Sequence, residues 1–151
     1  MSGGGDPRGG ERPGSGPASI RIFRRIAWVD TDAAGIYHWN TIFRLAEVAE
    51  TSLYTALGMA EAMFGVTPRV AVEMRFLHQL KFNDRVAVDL AVDGLGRSSI
   101  RYGIRVSCGE TVAAEGTLAI CVVDPATRRA VEMPADLRRT LAEAGPQVAI
   151  D

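Results

Sequence analysis

Two carboxylates, Asp30 and Asp32, open the stretch DTDAAGIYHWNTIFRLAEVAETSLYTALG, which runs from Asp30 to Gly58. They lie in a small-residue turn closed by Gly35, and an aromatic patch of Tyr37, His38 and Trp39 follows. From Thr41 onward Ile42, Leu45, Ala46, Ala49, Leu53 and Leu57 recur at helical spacing until Gly58, which predicts a long buried helix over Thr41 to Leu57. Asn40 is suited to its N-cap, since its side chain can accept from an orphan N–H. The start of a helix leaves backbone N–H groups without partners and carries partial positive charge, so it suits a developing oxyanion. A loop carboxylate beside such a terminus is a kit for acyl transfer. The carboxylate either attacks the carbonyl or acts as general base on water.

Of the two acids, Asp30 fits a purely local role, because Asp hydrogen-bonds its own backbone in tight turns. Asp32, closer to the helix, stands equally as a turn former of the same kind and as the candidate catalytic group. His38 stands equally as a general acid/base and as a structural member of the aromatic patch. His78, on a strand among apolar neighbours, reads as structural, and Cys108 and Cys121 read as small core hydrophobes without a CxxC pairing. Two separated histidines and two strand cysteines lack ligand spacing, so no metal site is expected. Neither a Walker-type loop nor G-x-G-x-x-G occurs, which argues against nucleotide hydrolysis and dinucleotide redox chemistry. Arg97, Ser98 and Ser99 follow Gly96, and Arg129 precedes Pro134. These are groups of the kind that hold phosphates, or else solvated charges at turns.

The elements that must position these residues are legible in outline. Ile20 to Val29 alternates loosely and predicts a first strand leading into Asp30. After the helix, Gly65 and Pro68 break the chain, and Met63 and Phe64 between them are either core packing or a lid over an acyl group. Alternating runs then follow at Val70 to His78, Arg85 to Val92, Ile100 to Val106 and, more continuously apolar, Val112 to Val123. Pro134 to Ala144 predicts a short helix with Leu137 and Leu141 inward, ended by Gly145. One strand, one long helix and four further strands make an α+β layout. One helix covers a five-stranded sheet without margin, and such a sheet keeps open edges, so a homodimer or homotetramer is expected.

Length and composition set the outer bounds. At 151 residues the chain has room for one domain with a full core. Residues 1–18 are rich in Gly, Pro, Ser and Arg and predict a disordered tail, 19–145 a single domain, and 146–151 a C-terminal tail. A formal net charge of −1 provides no field for nucleic acid or an anionic membrane. With neither a spanning apolar run nor a signal-peptide core, the expected location is cytoplasmic.

The motif D-x-D-A-A-G-I-x-H, followed by a helix that carries Glu47, resembles the hotdog-fold thioesterases of the 4-hydroxybenzoyl-CoA and YbgC type. The likeness extends from Ile20 to Leu141 and departs from the commonest pattern at Asn40, Thr41 and Ile42. It implies a hotdog fold, with a five-stranded antiparallel sheet wrapped around the long helix, and a dimer whose active sites straddle the interface. It also implies Asp32 as catalytic carboxylate and the backbone N–H near Trp39 as oxyanion donor. The segments G-R-S-S-I and R-A-V-E-M-P resemble the family's nucleotide-contact strand and C-terminal turn, which points Arg97, Ser98, Ser99 and Arg129 at the CoA portion of an acyl-CoA substrate. CoA would be part of that substrate, and no separate cofactor is implied. The alternatives are a thioesterase acting on acyl carrier protein and a non-catalytic acyl-binding dimer. A hydratase is disfavoured, because its D-x-N-P-x-H pattern is missing around Asp32 and His38.

Overall fold

The computed structural model describes residues 16–150. A first strand, β1 (Ser19–Arg25), leads through a 3₁₀ turn at Trp28–Asp30 into the long helix α1 (Trp39–Ala56) and a single-turn helix α2 (Ala60–Met63). Then come β2 (Arg69–Phe76), β3 (Arg85–Leu95), β4 (Ser99–Cys108), β5 (Thr111–Cys121), helix α3 (Ala135–Glu143) and β6 (Pro146–Val148). The sheet order is β2-β5-β4-β3-β1-β6. Neighbours pair antiparallel except β6, which runs parallel to β1. This is the expected hotdog layout with a sixth strand, and that strand lies in the stretch predicted as a C-terminal tail. Its backbone satisfies the outer edge of β1, which periodicity over three residues could not announce.

The tail predicted for residues 1–18 falls outside the described residues up to position 15. Ala18 is buried, donates to the Leu141 carbonyl at 2.9 Å and accepts from Val92 at 2.9 Å. The first strand is shorter than predicted, because the Asp30 N–H donates to the Ala27 carbonyl at 3.0 Å and closes the 3₁₀ turn.

Helix α1 lays Ile42, Leu45, Ala46, Ala49 and Leu53 on the sheet, where they meet Val86, Val88, Leu90, Ile100 and Tyr102 in one core. Truncating Leu53, wholly buried there, to Ala would cost about 2–5 kcal/mol. The helix stops because Gly58 adopts φ 71°, a left-handed conformation open to glycine. The Gly58 and Met59 N–H groups then return to the Thr55 and Tyr54 carbonyls at 3.1 and 2.9 Å, which caps the helix. Gly116 is fixed by crowding instead: a Cβ there would meet the Glu73 carbonyl oxygen at 2.0 Å, so β2 can approach β5 only past a glycine.

Strand β2 is the anomaly. It forms one end of the sheet, and Val70, Val72 and Phe76 are exposed despite their alternating apolar pattern. Met63 is buried in the core, whereas Phe64 is exposed, so the two residues considered together as a lid have different fates.

Candidate active site

The loop between β1 and α1 is built on Asp30. Its side chain is 2% exposed, accepts from the Ala27 N–H at 2.7 Å and pairs with Arg44 on α1. Its carbonyl accepts from the His38 N–H at 2.6 Å and the Thr41 hydroxyl at 3.0 Å. The residue predicted to shape a turn therefore also anchors the first two turns of the helix.

Asp32 is exposed. Its Oδ1 accepts from the Ala34 N–H at 2.8 Å, its carbonyl accepts from the Gly35 N–H at 2.9 Å, and its N–H donates to Ile36 at 3.0 Å. One carboxylate oxygen is thus fixed by a tight turn. The other has no hydrogen bond among the described residues and is available to a substrate or water.

The helix begins two residues earlier than predicted, and its N-cap is His38 rather than Asn40. The His38 Nδ1 accepts from the Asn40 N–H at 3.2 Å, so Nδ1 carries a lone pair and the ring proton resides on Nε2. The signal was hidden because the preferred cap types are Ser, Thr, Asp and Asn, and here the imidazole takes their role. Trp39 is the first helical residue, 61% exposed. Its N–H has no partner among the described residues, as expected for the first turn of a helix.

Trp39 borders a cleft of about 300 Å³ shared with Ile36, Tyr37, Phe76, His78 and Gln79. The segment after β2 reaches this place through the Tyr37 N–H, which donates to the Leu80 carbonyl at 2.9 Å, and an isolated bridge from Ile36 to Lys81. His78, read from sequence as structural, is exposed and faces the cleft. Nothing in its spacing to the Asp32 loop signals this, because the proximity is created by strand pairing. Phe43 packs edge-on against both Trp39 (5.7 Å) and Phe76 (6.5 Å). On its other side lies a second cavity of about 410 Å³, walled by Phe43, Ala46, Glu47, Arg69, Val72 and Leu118.

One of its walls, Arg69, leads to a polar group that sequence reasoning missed. Glu50, 4% exposed on α1, meets Arg69 of β2, whose Nη1 lies 2.9 Å from each carboxylate oxygen. The geometry makes a hydrogen bond only with Oε1, so buried Oε2 is left without one among the described residues. Burial pushes the Glu50 carboxyl above the usual range, and Arg69 pulls in the opposite direction. Nearby, the Tyr54 and Tyr102 hydroxyls share a hydrogen bond of 2.6 Å, and burial pushes both well above the ordinary tyrosine value.

Arg97, Ser98 and Ser99 lie together at the β3–β4 hairpin, away from the cleft, and Arg129 lies on the segment that follows β5. The Met133 N–H donates to the Arg97 carbonyl at 2.8 Å and the Val122 N–H to the Ser98 carbonyl at 2.7 Å, which lays the 124–133 segment beside the β3–β4 hairpin. The Arg97 and Arg129 guanidiniums make no hydrogen bond or ion pair among the described residues. This group is level with the Cys121 end of β5, whereas Phe76 and Trp39 are at the Ala114 end. Seven residues of strand separate the two ends, about 23 Å. One chain alone does not bring the proposed phosphate grip to the proposed reaction centre.

Among known proteins, a family model described as the thioesterase-like superfamily matches residues 26–141. A 1,4-dihydroxy-2-naphthoyl-CoA hydrolase from Prochlorococcus marinus is 27% identical over 142 residues, covering 85% of this chain and 94% of its own. One from Thermosynechococcus vestitus is 28% identical over 143 residues, covering 89% and 97%. The crystal structure of a 1,4-dihydroxy-2-naphthoyl-CoA thioesterase from Synechocystis superposes with a TM-score of 0.73 at 18% identity, covering 82% of this chain and 94% of that one. A Thermus thermophilus thioesterase complexed with coenzyme A and Zn gives 0.72 at 22% identity, covering 80% and 90%.

Proposed function

Because the chain belongs to the thioesterase-like superfamily, we propose that it hydrolyses aryl-CoA thioesters with Asp32 as the catalytic carboxylate and the Trp39 N–H as oxyanion donor. The observation that carries this reading is the Trp39 N–H, without a partner among the described residues, beside an aromatic cleft and on the helix entered directly from the Asp32 turn. The thioester carbonyl oxygen accepts from that N–H, where the helix dipole favours the charge that develops. The free oxygen of Asp32 either removes a proton from the attacking water or itself adds to the carbonyl carbon, forming an anhydride that water then opens. In both routes the carbon–sulfur bond breaks, the thiolate of CoA leaves and is protonated, and the acid is released. His38 holds the helix entrance through Nδ1, leaving Nε2–H as a donor to the acyl group.

An aromatic acyl group is supported by the ring lining of Tyr37, Trp39, Phe43 and Phe76, and by the naphthoyl-CoA named for the relatives. CoA phosphates are assigned to Arg97 and Arg129, with Ser98 and Ser99 beside them, and these must come from a second chain. Antiparallel pairing of β2 with β2 of another copy would cover the exposed edge and turn one chain's Arg69 end toward the other's Phe76 end. The distance that separates the two clusters within a chain is closed across such a dimer.

The experiment is hydrolysis of a panel of acyl-CoAs, with free thiol trapped by a chromogenic reagent. Turnover of aryl-CoAs that Asp32→Asn abolishes is the expected result. Binding of acyl-CoA without turnover would overturn the reading in favour of a non-catalytic acyl-binding dimer.

A further inference from the structure

The Trp39 cleft has two walls. One is Ile36, Tyr37 and Trp39, continuous with the Asp32 loop, and the other is Phe76, Leu77, His78 and Gln79. A regular strand turns successive side chains to opposite faces, so four in a row line one cleft only where the pleat is broken. The break is visible in the backbone. The Leu77 and His78 N–H groups converge on the Ala113 carbonyl at 2.8 and 3.1 Å, two successive residues facing one, as in a β-bulge. Just beyond, wholly buried Leu80 accepts from the Tyr37 N–H, so the segment is held from both sides. His78 itself is exposed. Among the described residues its ring makes no hydrogen bond, whereas the His38 ring has Nδ1 committed to the Asn40 N–H.

Resting on the thioesterase reading above, we propose that His78 is the general acid that delivers a proton to the leaving sulfur. The carbonyl oxygen is held at Trp39 and attack comes from the Asp32 side, which leaves the opposite wall, with His78, to the carbon–sulfur bond. As that bond breaks, its electron pair stays on sulfur, and the protonated imidazole gives up one N–H proton to form the neutral thiol. Asp32 takes a proton from the attacking water, or from the water that opens the anhydride, and that proton returns to the imidazole through solvent. One water is consumed per thioester. An alkyl thiol of the cysteine kind titrates near about 8.5, so its thiolate gains from the transfer. Histidine suits the task because its charge changes between roughly pH 5 and 8. The other candidates in the cleft suit it less. Protonating His38 on Nδ1 would break the helix cap at Asn40, and burial pushes the Tyr37 phenol upward, away from proton donation near neutrality.

The test is a series of thioesters of one aryl acid, the one that wild type hydrolyses fastest as its CoA ester. Only the leaving thiol differs: CoA, pantetheine, thiophenol or 4-nitrothiophenol. His78→Gln keeps a polar side chain of similar size that cannot transfer a proton. It is expected to lower kcat for the CoA and pantetheine thioesters by about 100-fold, the lower end for a positioned general acid. The loss should shrink along the series to about threefold or less for 4-nitrothiophenol, whose thiolate leaves without a proton. Asp32→Asn should instead fail on all four alike, because attack is needed whatever leaves. His78 is exposed, so the melting temperature of His78→Gln should match wild type. A uniform loss across the series in His78→Gln, or no loss at all, overturns the assignment while leaving thioester hydrolysis standing. If wild type turns over no aryl-CoA, the thioesterase reading itself fails, and this one with it.

Discussion

Asp30 and Arg44, fourteen residues apart, are paired side chain to side chain, and through them the loop that carries Asp32 is tied to the helix that carries Trp39. The pair alters what a comparison of the neighbouring acids can test. From sequence, Asp30→Asn ought to be mild, since an amide can replace most turn hydrogen bonds. The structure shows a buried anion that accepts from a charged donor, and Asn cannot supply that charge. Asp30→Asn is therefore expected to lower stability by about 1–3 kcal/mol, read as a drop in melting temperature. An unchanged melting temperature would show that the pair does not brace the loop.

Asp32 should behave in the opposite way. It is exposed, and an Asn can accept from the Ala34 N–H just as the carboxylate does. Asp32→Asn should leave the melting temperature within about 2 °C of wild type, because exposed substitutions rarely exceed ±0.5 kcal/mol. Its kcat should fall by about 10²- to 10⁴-fold, the contribution of a positioned general base. Activity retained in well-folded Asp32→Asn would remove Asp32 from the chemistry.

The separation between Arg97 and Trp39 gives a sharper test of the two-chain site. Arg97→Ala or Arg129→Ala should raise KM for acyl-CoA far more than it lowers kcat, since phosphate contacts act alike on ground and transition states. The effect should shrink for a truncated pantetheine thioester. If the site is shared, mixing Asp32→Asn and Arg97→Ala chains at subsaturating substrate should restore activity, because the hybrid dimer has one site with both residues intact. Unmixed-level activity in confirmed hybrids would place both residues on one chain. Sedimentation giving only monomer at micromolar concentration would likewise end the shared-site model.

Glu50 predicts a pH dependence of stability. Its native pKa is raised, by burial first and against the pull of Arg69. A raised carboxyl contributes fully below the unfolded value, about 4.3, and that contribution is lost as pH rises through the native value. Glu50→Gln stays neutral throughout. The melting temperature of wild type relative to Glu50→Gln should therefore decline as pH is taken from 4 towards 8, in steps of about one unit. Tyr54 and Tyr102, which face Glu50, stay protonated over that range because their own values are pushed upward. A constant difference across the series would mean that the carboxyl is not held above its ordinary range.

The elements of this fold were legible because their causes are local. Helical spacing from Ile42 to Leu53, alternation in β3 and β4, and the stop at Gly58 all depend on residues within a few positions of one another. The same locality made the Asp32 turn and the helix close behind it readable as a unit, although the spacing puts the start at Thr41 and it lies at Trp39, since an imidazole cap gives no local signal. The tertiary structure decided what depends on distant partners. His78 reaches the cleft because β2 ends beside the Tyr37 loop, Arg69 finds Glu50 because the edge strand crosses α1, and β6 exists because β1 offers it an edge. It also placed Arg97 and Arg129 at the end of the sheet away from Trp39, although they look like one site with it in the sequence. Antiparallel pairing fixes which strand ends lie together, and no periodicity within a single segment encodes that.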